Sequence, residues 1–181
     1  YMVGASQFHQ MGTAFGHFYE RDTVRSNVQG RPKDWLKVGA NLAFSLEQTS
    51  GAGFWGDSGD VSNNTYGGLS YTKNPLIPAL DEDGNVPEVM WADGNYNTKY
   101  LIDKQPQQTD SYNLLGSFNV EIEPFKNFKI ASRAGVDGYI SQYGYTMIPS
   151  AQFSGGSGSR TRRSALSYAA TVTNTLEYTF S

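Results

Sequence analysis

The segment WGDSGD, residues 55 to 60, places a serine among glycines and aspartates, as around the nucleophile of some serine proteases. That chemistry requires a histidine base within hydrogen-bond reach of the serine and an acid that orients the histidine. The chain has two histidines, His9 and His17, and both lie in segments that read as a strand or a strand end. We therefore interpret WGDSGD as the tip of a glycine-rich loop. We predict that the chain is not an enzyme.

Metal ligands are equally sparse. His9 and His17 lack a third nitrogen, sulfur or carboxylate ligand at a suggestive spacing. The segment DEDGN, residues 81 to 85, offers clustered oxygens for a hard cation such as calcium, but it lacks the alternating ligands and the terminal bidentate glutamate of an EF-hand loop. A solvated Asp-Gly turn is the favoured interpretation of this segment. We predict no metal site and no cofactor.

The charges of the chain narrow the choice of partners. With 14 Lys plus Arg and 17 Asp plus Glu, the net charge is −3, which gives no indication of a nucleic-acid partner. Cysteine is absent, so disulfides, thiolate metal sites and cysteine nucleophiles are excluded. Arg160, Arg162 and Arg163 could attract an anionic ligand or lipopolysaccharide. A basic cluster beside a Gly/Ser segment is more often a solvated strand end.

Aromatic residues in the long connection 49–109 are the strongest candidates for ligand contact. Aromatic faces stack on sugar rings and fill peptide-recognition pockets, and the Asn, Asp and Gly residues around them supply hydrogen bonds. The alternative is that the rings pack against the loop itself, neighbouring loops or a lid partner. The predicted substrate-binding residues are Trp55, Tyr66, Tyr71, Trp91 and Tyr96.

The elements that must position these loops are two-faced strands. In YNLLGSFNVEIE, residues 112 to 123, apolar and polar residues alternate strictly, which is the pattern of an extended strand with one apolar face. The same alternation recurs along the chain, and helical periodicity is hard to find. Strands are predicted near residues 1–11, 17–29, 35–48, 110–123, 128–143 and 164–181.

The connections between these strands alternate in length. GRPKD and PFKN are tight turns that contain proline, whereas the connections 49–109 and 144–163 are long. Short turns at one end and long loops at the other are typical of a transmembrane β-barrel. Aromatic residues near strand ends would suit its interfacial girdles; they include Trp35, Tyr112, Phe125, Phe128, Tyr139, Tyr143 and Phe180. A soluble antiparallel sandwich alternates for the same geometric reason, so periodicity alone leaves both open.

Three segments resemble a known family. YNLLGSFNVEIEPFKNFKIASRAGVDGY, RSNVQGRPKDWLKVGANLAFS and NPLIPALDEDGNV are similar to stretches of the SusC/RagA family of TonB-dependent outer-membrane transporters. In the first, an aromatic two-faced strand, a short Phe/Lys turn and a strand with Gly-x-Asp follow one another. The second joins an Arg, Asn and Val strand to Trp-x-Lys-x-Gly-x-Asn. The resemblance extends over essentially the whole chain and keeps the order of the segments.

The resemblance implies a barrel of 22 strands around an N-terminal plug, in the cell outer membrane of a Bacteroidetes-type bacterium. It implies import of glycans or peptides, energy from the TonB system through an N-terminal segment, and a SusD-like surface lipoprotein as partner. Residues 1–181 would form part of one all-β, antiparallel, multi-pass barrel domain, with strands as pore wall and long loops facing the substrate. Lipid would cover the outer surface.

A fragment is expected on this interpretation, because about six strands are too few to close even an eight-stranded barrel. Such a fragment would leave its edge strands unpaired and its apolar face uncovered. The alternative is a soluble β-sandwich that binds carbohydrate, in which a second sheet would cover the apolar face. The exposure of the apolar residues distinguishes the two.

Overall fold

The computed structural model describes residues 1–12, 16–50, 76–89, 97–149 and 156–180. They form one six-stranded sheet in which each strand pairs antiparallel with the next along the chain. The prediction of an all-β antiparallel fold is thereby confirmed, and the strands overlap the predicted ranges. The strands are β1 (Met2–Met11), β2 (Phe18–Lys33), β3 (Leu36–Ser50), β4 (Gln107–Phe125), β5 (Phe128–Met147) and β6 (Ser159–Tyr178).

Two tight turns lie at one end of the sheet, which we call the turn end. Two residues separate β2 from β3, and two separate β4 from β5. Asn127 in the second turn has a φ of +70°, a left-handed conformation that asparagine tolerates better than most residues with a Cβ. Between Ile122 and Phe125 the register shifts, as a bulge does next to a turn. The longer connections all lie at the opposite end, which we call the loop end.

The described part of the connection between β3 and β4 contains a short helix. Helix α1 (Thr98–Lys104) was not predicted, because seven residues are too few to display a periodic apolar face. Asn97 precedes it, and its side-chain oxygen accepts a hydrogen bond from the backbone N–H of Lys99 at 3.0 Å, which is an N-cap. Among the described residues, no helix combines the length and the apolar character needed to cross a membrane.

Backbone hydrogen bonds fasten α1 to the sheet. The carbonyl of Lys104 accepts from the N–H of Ile148 at 2.8 Å, and the carbonyl of Pro106 accepts from the N–H of Thr146 at 3.1 Å. At the other end, Asn97 is fully buried and donates to the carbonyl of Ala79 at 2.6 Å. Helix α1 is therefore held against the loop end of β4 and β5 by these hydrogen bonds.

An enclosed apolar core is absent from the part of the chain that the structure describes. Its one large, fully buried side chain is the polar Asn97. Strands β1 and β6 each pair with a single described neighbour, so both edges of the sheet are open. Open edges and an uncovered apolar face are what the sequence predicts for part of a larger barrel.

Candidate functional site

The register of the sheet assigns every strand residue to one of two faces. Directly paired residues of neighbouring strands point to the same side. Leu42 pairs with Gly116, Gly116 with Val136, and Val136 with Ala170. We call their side the apolar face; it carries the even-numbered residues of β2 to β6 and the odd-numbered residues of β1, except beyond the register shifts at the turn end, where Lys33 and Phe125 lie on it. The opposite side is the polar face.

The apolar face forms a continuous apolar band across β3 to β6, whereas on β2 the residue in the row of Leu46 is Asp22. On β3 the band extends from Leu36 near the turn end to Leu46 near the loop end. Those ten residue steps span about 33 Å along the strand, and a strand tilt of about 40° reduces this to a height of about 25 Å. That height equals the apolar band of a transmembrane barrel. The partners of Leu36 are Ile122, Ile130 and Leu176, and those of Leu46 are Tyr112, Ile140 and Leu166.

Nothing in the described part of the chain covers this band. Phe118, Val136 and Val172 lie in its middle, and they are 51%, 42% and 67% exposed. All described strands belong to the same sheet, so no second sheet packs on the apolar face as a sandwich requires. An apolar surface of this size indicates an apolar solvent or a missing partner.

Aromatic rings cluster on the apolar face at the turn end. Phe125 and Phe128 stack with centroids 4.9 Å apart, and Tyr178 contacts Phe128 at 6.3 Å and Phe180 at 4.8 Å. Beside the neighbouring turn, the ammonium group of Lys33 lies 5.2 Å from the ring of Trp35. Aromatic rings with cations at one level of the sheet are the composition of an interfacial girdle.

Two of the aromatic residues expected in the girdle lie elsewhere. Tyr139 pairs with Asn113 and Tyr143 with Thr109, which places both tyrosines on the polar face. The hydroxyl of Tyr139 lies 3.4 Å from that of Ser111. For these two residues the girdle assignment is wrong, because closeness to a strand end does not determine which face a residue occupies.

The polar face is concave. A cavity of about 560 Å³ touches all six strands, from Met2 on β1 to Thr171 on β6, and most of its lining residues belong to the polar face. Only the hollow side of a curved sheet can contact one cavity from every strand. Ala43 and Ala169 lie in the same cross-strand row as the half-exposed Leu115. Because alanine side chains are short, they leave space in the cavity on both sides of this row. Sequence reasoning missed Leu115, which interrupts the polar pattern.

Cross-strand hydrogen bonds link the polar face. Lys37 donates to Glu121 at 2.7 Å, and Lys129 lies 3.5 Å from the same carboxylate oxygen. Farther along the face, Asn41 donates to Ser117 at 3.1 Å, and Asn113 lies within 3.3 Å of acceptors on β3. These contacts satisfy polar groups that would line an aqueous interior. Among the charged residues, Glu121, Arg133, Asp137 and Glu177 lie on the polar face.

Replacing Glu121 by lysine should lower the free energy of unfolding by about 1–2 kcal/mol, because it removes one ion-paired acceptor and places three ammonium groups together. The effect should shrink at high salt. Glu123→Lys is the matched control, since it makes the same charge change two residues farther along β4 and Glu123 has no ion pair among the described residues. Denaturant unfolding at two salt concentrations measures both. Equal losses for the two variants would contradict the assigned role of Glu121.

The predicted loop site lies outside the part of the chain that the structure describes. Trp55, Tyr66, Tyr71, Trp91 and Tyr96, together with the segment WGDSGD, lie outside the described residues. The ends of the connection that carries them are described, and both ends are at the loop end of the sheet. The aromatic contacts to a ligand therefore remain a prediction.

The remaining polar candidates form local contacts. One carboxylate oxygen of Asp81 accepts from the backbone N–H of Asp83 at 3.1 Å and of Asn85 at 2.7 Å, and Gly84 has a φ of +81°. This is the Asp-Gly turn favoured for the segment. His9 contacts Glu20 across the β1–β2 pair at 2.7 Å. Within the described ranges, no group of three or more His, Cys, Asp or Glu residues could hold a metal ion.

Comparison with solved structures finds chains of a transporter. One match is the RagAB peptide importer in the closed-closed state, with a TM-score of 0.78 and 27% identity. Another is the same importer in the open-open state, with a TM-score of 0.80 and 26% identity. A third structure, of the RagAB peptide transporter, has a TM-score of 0.73 at 24% identity and supports the fold alone. No protein-family model and no curated protein matches the sequence.

The coverage of these matches is asymmetric. Each alignment includes 99% of this chain but only 20% or 21% of the transporter chain. This chain therefore spans about a fifth of the length of the transporters that it matches. Its six strands correspond to one section of a larger transporter, which agrees with the open edges of the sheet.

Proposed function

We propose that this chain forms part of the barrel wall of an outer-membrane importer of the SusC/RagA type. One observation carries the proposal: a single open sheet has an exposed apolar band of about 25 Å on one face and a concave, hydrogen-bonded polar surface on the other. A wall between lipid and an aqueous pore requires this division. The match to peptide importer chains over 99% of the sequence supports the same role.

Peptide is the cargo that we propose, because the similar solved structures are those of a peptide importer. The long connection between β3 and β4 leaves the sheet at the loop end, which we place outside the cell since long loops of bacterial barrels are extracellular. Its aromatic residues would contact the cargo, whether peptide or glycan. These are Trp55, Tyr66, Tyr71, Trp91 and Tyr96.

The remaining parts of the importer are inferred from the family resemblance. We propose a complete barrel of 22 strands, an interior plug, a TonB-contacting segment and a SusD-like surface lipoprotein, in a Bacteroidetes-type bacterium. In this arrangement the wall performs no chemistry. Strands β1 to β6 would separate lipid from the pore, and the cavity around Leu115 would face the interior.

Membrane fractionation combined with uptake tests the proposal. The full-length protein should be recovered in the outer-membrane fraction and released only by detergent. Cells that lack it should lose uptake of labelled oligopeptides, and restoring the gene should restore uptake. Recovery of the protein in the soluble fraction would refute the membrane assignment. Unchanged peptide uptake together with lost oligosaccharide uptake would refute the choice of cargo.

A further inference from the structure

A basic hollow lies at the loop end of the apolar face, beyond the apolar band. Arg160 and Arg162 are two residues apart on β6, so both point to the same side of the sheet. Their partners on β5 are Thr146 and Gly144, which are even-numbered and therefore belong to the apolar face. Arg163, the next residue, points to the polar face, where its guanidinium lies 6.0 Å from the ring of Tyr143.

The hollow has room for a small anion. Arg162 pairs with Gly144, which has no side chain, and a Cβ built there would approach nothing closer than a carbonyl oxygen at 4.0 Å. Gln142 and Ser164 form the next row of the same face and add an amide and a hydroxyl. The cavity beside these side chains has a volume of about 370 Å³. An arginine pair with an amide and a hydroxyl is a donor set suited to phosphate.

One negative charge faces this hollow. Asp110 lies in the same row as Gln142, and one of its carboxylate oxygens accepts from Gln48 at 3.2 Å and from Gln108 at 2.7 Å. Asp110 forms no ion pair with either arginine among the described residues. Two guanidinium groups against one carboxylate leave the hollow positive.

The position of the hollow relative to the apolar band selects the ligand. Leu166 belongs to the last apolar row, and Arg162 is four residues beyond it, or about 13 Å along the strand. A tilt of about 40° lowers this to about 10 Å, and an arginine side chain can extend back toward the band. Headgroups occupy the several ångströms that adjoin the hydrocarbon. The donors of the hollow therefore lie at the level of lipid phosphates.

We propose that Arg160 and Arg162, assisted by Gln142 and Ser164, bind the phosphate of an outer-leaflet lipid headgroup. The inference rests on the proposed function, because it requires the apolar face to contact lipid. The lipid is defined by its chemistry: acyl chains against the apolar band and a phosphate monoester against the arginines. Such contacts would hold one lipid beside the base of the external loops.

The test measures the affinity of the full-length protein for bisphosphorylated lipid A in nonionic detergent and compares wild type with variants. Arg160→Gln combined with Arg162→Gln should weaken binding tenfold or more, because both charge-assisted contacts are lost. Arg133→Gln is the control, because Arg133 lies on the polar face of β5 and does not line this cavity, and its affinity should stay within twofold of wild type. Binding by the wild-type protein should also weaken as salt is raised.

Several results would overturn this proposal. Wild-type affinity in the double variant would overturn it, and so would equal binding of lipid A with and without its phosphates. If inorganic phosphate binds as tightly as the lipid, the hollow is a site for free anions instead. If Arg133→Gln weakens binding as much as the double variant, the effect is one of net charge. Fractionation separates the two proposals, because outer-membrane recovery with unchanged lipid binding rejects only the phosphate site.

Discussion

Replacing Val172 by arginine is expected to lower the free energy of unfolding in lipid vesicles by about 2–4 kcal/mol. Val172 lies in the middle row of the apolar band, beside Ala134 and Phe118, and it is 67% exposed. If that surface meets hydrocarbon, a guanidinium there must leave water or distort the bilayer. In water the same exposed substitution would cost almost nothing.

Thr171→Arg is the matched control for this prediction. Thr171 is on the same strand at nearly the same depth, but it faces the cavity of the polar side. Its replacement should cost less than about 1 kcal/mol if that side is wet. Denaturant titration of the full-length protein folded into vesicles measures both variants. If Val172→Arg is no more costly than Thr171→Arg, the apolar face is not in contact with lipid and the importer assignment fails.

Replacing Phe128 by alanine should lower the free energy of unfolding by about 2 kcal/mol. Phe128 is the central ring of the cluster at the turn end, since it stacks on Phe125 at 4.9 Å and contacts Tyr178 at 6.3 Å. Each aromatic pair contributes about 0.5–1.5 kcal/mol beyond the area it buries. The substitution removes both pairs, one to each neighbouring strand.

Phe180→Ala provides the comparison, because among the described residues Phe180 has a single ring contact, with Tyr178. Its loss should be less than half that of Phe128→Ala, measured in the same vesicle titration. Phe128→Leu should recover part of the stability, since it retains apolar volume but not ring stacking. If all three variants lose the same free energy of unfolding, ring geometry has no role in the cluster at the turn end.

Much of the fold follows from local sequence. Alternation in β4, from Tyr112 to Ile122, predicted both the strand and which of its residues share a face, because the pleat sends successive side chains to opposite sides. The two tight turns were predicted from the prolines of GRPKD and PFKN, and the second of them contains Asn127 in a left-handed conformation. Strand β4 extends farther than predicted, from Gln107 to Phe125. Its first residues are polar, so they show no alternation of apolar and polar side chains.

Helix α1 could not be predicted from local sequence. Asn97 caps this helix, yet seven residues form a marginal helix by themselves. Contacts from distant parts of the chain support it, namely the carbonyl of Ala79 on Asn97 and the N–H of Ile148 on Lys104. No periodicity within the segment encodes those contacts.

The sequence by itself determined the two-faced strands and the alternation of short and long connections, because both depend on neighbours in the chain. Only the tertiary structure decided the concavity of the polar face, the row that places Leu115 between Ala43 and Asp137, and the pairing of Arg162 with Gly144. These features depend on register, which joins residues as distant as Lys37 and Glu121. A shift of one residue would exchange the two faces of a strand, so the division between lipid side and pore side exists only once all six strands are paired.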